Sequence, residues 1–105
     1  MTEDDISAKV AAIVDLDIVR VTTLHALHRT VRANDPALAK IWKSPELGEW
    51  RDLRTHPQYG PVAEWMWDVE GRSCELKYEL VAEFGDNWDE LNDVLCAEVL
   101  RRRMT

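Results

Sequence analysis

Cysteine is scarce in this chain. Cys74 and Cys96 are its two thiols, and without a CxxC spacing they are too few for a disulfide framework. They are expected as buried or half-buried thiols. No run reaches the roughly 18 uncharged apolar residues that a membrane span needs. The opening decapeptide MTEDDISAKV sets three carboxylates where a secretory signal carries positive charge. Both absences lead to the expectation of a soluble, cytoplasmic protein.

The recurrent signatures of chemistry are missing as well. There is no Gly-rich dinucleotide fingerprint, Walker A loop, HExxH or GxSxG. No catalytic residue and no cofactor is therefore assigned, and the chain is read as non-enzymatic. His25 and His28 could share one face of a helix, but no third ligand stands at a diagnostic spacing, so no metal is assigned. His56, in the Pro/Gly-rich stretch HPQYGP, is read as a solvated loop residue.

Positive charge is the scarcer sign, with 13 Lys and Arg against 20 Asp and Glu and a net charge of −7. Such a balance disfavours a conventional nucleic-acid or anionic-membrane binder, because both expose phosphate. It favours a basic protein surface as partner. A length of 105 residues with 46% apolar composition suits one domain, residues 1–105, around a single modest core.

What is present is mostly helical in period. Ile6, Val10, Val14, Ile18, Val21, Leu24, Leu27 and Val31 recur every three or four residues, although the β-branched run at 14–21 also allows a short strand. Asp35 before Pro36 caps the next helix, and Ser44 before Pro45 and Glu46 is expected to cap another, reaching about Arg54 with Leu47, Trp50 and Leu53 on one side. In the last third Pro61 starts a segment, Gly71 stops it, Ser73 caps another, Gly85 stops that, and Asn87 with Glu90 forms a capping box.

The fold class expected is all-α, with about five helices in one small domain. The alternative is a helix-dominated α+β fold with an antiparallel hairpin over 62–70 and 73–80. In that hairpin Trp65 and Trp67 would share a face. On a helix they lie about 200° apart, so Trp65 is expected inward with Val62, Met66 and Val69 while Trp67 points away. Trp42, Trp50 and Trp88 are expected in the core with Trp65. Trp67 is then the interface anchor, since exposed aromatics dominate binding hot spots.

Charge is distributed unevenly. Residues 64–98 hold eleven carboxylates against Arg72 and Lys77, whereas residues 20–54 are net basic and the chain ends in Arg101, Arg102 and Arg103. Glu75, Glu79 and Glu83 repeat at i, i+4, as do Asp89 and Asp93, with Asp86 between the two sets. Repeating one sign at that spacing costs a helix a few tenths of a kcal/mol per pair, so residues 64–98 read as an acidic face that docks on a partner. The partner-binding residues expected are Trp67, Glu75, Glu79, Glu83, Asp86, Asp89 and Asp93. The role expected is that of an inhibitor or adaptor, acting on a nucleic-acid-handling protein by imitating phosphate. The opposed charge balances also suit a symmetric homodimer.

The stretch FGDNWDELND, residues 84–93, resembles the turn and helix with which barstar-type ribonuclease inhibitors present acids to a basic active site. By position the resemblance makes Asp89 and Asp93 those acids. It covers ten residues, and members of that family continue with further strands and a helix where this chain has only residues 94–105. A different reading takes 36–54 as a helix-turn-helix-like DNA-binding segment with Lys43, Arg51 and Arg54 facing phosphates.

Overall fold

A computed structural model of the chain describes residues 1–46 and 48–104. Its helices are α1 (Glu3–Asn34), α2 (Pro36–Ile41), α3 (Glu49–Asp52), α4 (Gly60–Val81) and α5 (Trp88–Arg103), with a 3-10 turn at Leu53–Thr55 after α3. The described residues contain no strand, so the fold is all-α and the hairpin over 62–70 and 73–80 does not form. No described helix is long and apolar enough to cross a membrane.

The first helix is continuous through the β-branched run at 14–21. Val10, Ile13 and Val14, then Leu24, Leu27 and Val31, are buried at helical spacing, and that burial outweighs the small propensity cost of β-branching. Its start is a reciprocal cap. The Thr2 N–H donates to Asp5 Oδ2 and the Asp5 N–H to Thr2 Oγ1, both at 3.2 Å. These bonds favour the ionised carboxyl and hold Asp5 below its ordinary pKa.

Local punctuation sets the boundaries of α2 and α5. Asp35 Oδ1 accepts from the Leu38 N–H at 3.1 Å ahead of Pro36, and Asn87 Oδ1 accepts from the Glu90 N–H at 3.1 Å. Ser44 does not cap a helix as expected: its Oγ accepts from the Glu46 N–H at 3.3 Å in a turn, and α3 begins only at Glu49. Leu47, expected on the apolar side of that helix, lies outside the described residues.

The largest departure is α4, which runs unbroken through Gly71 and Ser73 where a stop and a new cap were expected. Ser73 is buried and donates its hydroxyl to Asp17 Oδ1 at 2.7 Å, and Lys77 Nζ meets Asp17 Oδ2 at 3.2 Å. The serine hydroxyl is thus turned to a tertiary partner and not to the backbone N–H groups that a cap would satisfy. Gly85 does stop the chain after α4. With φ of 61° it closes a Schellman turn in which the Gly85 N–H donates to the Ala82 carbonyl at 3.3 Å and the Asp86 N–H to the Val81 carbonyl at 2.8 Å.

The chain divides into two compact units, residues 1–18 with 70–105, and residues 19–69. In the first, Val10, Ile13 and Val14 from α1 share a core with Leu80 and Val81 from α4 and with Leu91 and Leu95 from α5. In the second, Leu24, Leu27 and Val31 pack with Trp42, Trp50, Leu53, Tyr59, Ala63 and Met66. Trp42 and Trp50 are thus core residues as expected, whereas Trp65 and Trp88 are exposed. The buried ridge of α4 runs through Ala63, Met66 and Val69, so Val62 and Trp65 fall beside it and stay in water. Cys74 and Cys96 are free and exposed, not buried, each one position and so 100° round its helix from a buried neighbour, Ser73 and Leu95.

Candidate functional site

The acids singled out from the sequence at 75–93 all belong to the first unit. On α4, Glu75 lies across the helix from buried Ser73, and Glu79 lies 100° round from buried Leu80, at the flank that meets Lys9 of α1. On α5, Asp89 and Asp93 lie across from buried Leu91 and Leu95. Glu83 and Asp86 sit in the turn that joins α4 to α5, and Asp86 takes a left-handed φ of 61°, a conformation aspartate tolerates better than most residues. All six carboxylates are exposed.

Their partners differ. Glu79 Oε2 is 2.7 Å from Lys9 Nζ. Glu75, Glu83, Asp86, Asp89 and Asp93 form no ion pair among the described residues. Arg101 and Arg102, at the end of α5, are engaged elsewhere. Arg101 reaches Glu98 at 2.6 Å, and Arg102 reaches Glu98 at 3.0 Å, Asp15, and the Ala11 carbonyl at 3.2 Å. Hydrogen bonds from Arg101, then Arg102, bring the Glu98 carboxyl down to about 2.

Two aromatic rings lie among these acids. Tyr78, on the last turns of α4, and Trp88, which opens α5, meet edge to face with centroids 5.5 Å apart and planes at 87°. They remain 67% and 42% exposed. The sequence signal for Tyr78 was its place between Glu75 and Glu79 on a helix, which puts an aromatic on the polar side. An open groove beside Glu75 and Glu79 is lined also by Asp15, Leu16, Arg72 and Leu76.

Trp67 belongs to the second unit and is 40% exposed. Its ring is not bare. The Arg54 guanidinium carbon lies 4.2 Å from its centroid, that of Arg51 5.8 Å, and Trp50 packs at 6.3 Å. Residues 36–54 hold helices of six and four residues, Trp50 is buried, and Arg51 and Arg54 lie over tryptophan rings. Neither helix offers the several turns with which a recognition helix fills a major groove.

The histidines have structural partners. His28 is buried, packs edge to face on Trp42 at 5.0 Å, and donates its Nε2–H to the Trp42 carbonyl at 3.1 Å. His25 is exposed on the same helix. His56 is half-buried, stacks on Tyr59 at 4.7 Å, and accepts the N–H groups of Gln58 at 3.0 Å and Tyr59 at 3.3 Å through Nδ1. It therefore organises the entry to α4 and is not a free loop side chain.

Comparison of the chain with protein-family models, with curated proteins and with solved structures gives no match.

Proposed function

We propose that this protein is a non-enzymatic binding module that docks the acidic surface of residues 75–93 on a basic surface of another protein, as an inhibitor or adaptor. The observation that carries the reading is the set of exposed carboxylates Glu75, Glu83, Asp86, Asp89 and Asp93, which form no ion pair among the described residues. Unneutralised charge on one unit raises the rate of encounter with an oppositely charged surface and penalises wrong partners. Nucleic-acid-handling proteins are the class to test first, since carboxylates in this density imitate phosphate toward arginines and lysines.

The test is charge reversal at positions away from helix caps and from the core. A Glu75→Lys, Glu83→Lys, Asp93→Lys variant and the wild-type chain are compared as baits in the cells of origin. A partner held by the wild type, released by the triple variant and released by added salt supports the reading. Partners held equally by both chains remove it.

A further inference from the structure

We propose that Tyr78 and Trp88 form the anchor of this acidic surface and receive an arginine side chain from a basic segment of the partner protein. The inference rests on the binding reading above and supplies its contact residues and the chemistry of its ligand. An edge-to-face pair as exposed as this one leaves ring faces in water, and such faces attract cations through the ring quadrupole.

The second unit shows what a tryptophan face of this chain takes when a cation is within reach, for Arg54 and Arg51 lie over Trp67. No cation of the described residues lies over Tyr78 or Trp88. The charged residues beside the pair in the chain are mostly acidic, and the one lysine next to Tyr78, Lys77, is held by Asp17. Glu75 stands one turn before Tyr78 on the same side of α4, Glu83 occupies the turn, and Asp89 follows Trp88. Complementarity thus specifies a cation as the occupant. A flat ring beside carboxylates suits a guanidinium, which stacks and donates in a fork, better than a compact ammonium.

The probe is a synthetic peptide of alternating glycine and arginine, titrated at low salt into the full, nitrogen-15-labelled chain. A glycine–lysine peptide of equal charge serves as comparison. The Trp88 indole N–H resonance is expected to shift with the arginine peptide, which binds several-fold more tightly than the lysine one. Tyr78→Ala and Trp88→Leu are each expected to weaken binding about tenfold, the scale of an interface anchor. Tyr78→Ala keeps the test valid if the tryptophan variant folds poorly, and helical circular dichroism checks both.

Unchanged affinity in Tyr78→Ala overturns the anchor. If a Glu75→Gln, Glu83→Gln variant still loses affinity in that case, the acidic-surface reading stands without it. Equal affinity for the two peptides overturns the assignment of arginine, and no binding of the arginine peptide overturns the inference as a whole. Arginine-peptide affinity untouched by the glutamine variants overturns the acidic-surface reading itself.

Discussion

The guanidinium of Arg54 lies over the ring of Trp67, 4.2 Å from its centroid, so the indole expected as the interface anchor stays 40% exposed but already holds a cation of its own chain. A stack of this kind at an exposed site contributes about 0.5–1 kcal/mol. Arg54→Ala is expected to lower the free energy of unfolding by that amount and Arg54→Lys by less, read from urea titrations. Trp67→Ala is expected to leave arginine-peptide affinity as it is in the wild type.

Gly71 and Gly60 are expected to respond in opposite directions to alanine. A Cβ at Gly71 meets nothing within 4 Å, and the residue is exposed inside α4. Removing the backbone entropy of glycine there is expected to stabilise the protein by about 0.5–1 kcal/mol. At Gly60 a Cβ would lie 2.8 Å from the Arg54 carbonyl oxygen, so Gly60→Ala must shift backbone and is expected to destabilise. Thermal unfolding of the two variants decides the signs.

His28 and Trp42 make a second paired test. Replacing His28 by alanine leaves the Trp42 carbonyl without its donor and opens space beside a fully buried indole. A loss of about 1–3 kcal/mol is expected from the orphaned acceptor alone. Full stability in His28→Ala would show that water replaces the donor there.

Glu98 gives a pH signature. Its carboxyl titrates near 2 in the folded chain against an ordinary 4.5, so the unfolded chain takes up this proton first as pH falls. The stability it contributes is complete above about 4.5 and is lost between there and about 2. Glu98→Gln is expected to flatten stability against pH across that window without changing its slope at neutral pH. Denaturant unfolding at a series of acidic pH values measures this.

Features that depend on a few neighbouring residues were legible in the sequence. Asp35 before Pro36, Asn87 three residues ahead of Glu90, and Gly85 at a positive φ each act through bonds to backbone groups at most a few positions away. Misread features depended on contacts distant in the chain. Ser73 looks like a cap until Asp17, 56 residues earlier, supplies its acceptor. Trp65 and Met66 are both plausible core residues, and a shift of one position, 100° around the helix, selects Met66.

Composition, helical period and capping chemistry determined that this chain is helical, where several of its helices begin and end, and that residues 64–98 are rich in negative charge. Tertiary structure decided which carboxylates form no ion pair among the described residues, that Arg54 lies over the ring of Trp67, and that Tyr78 and Trp88 meet edge to face while both stay exposed. The division is physical. Backbone hydrogen bonds in helices are local and can be read from spacing, whereas neutralisation of a charge or covering of a ring depends on which distant side chain folding brings within about 4 Å.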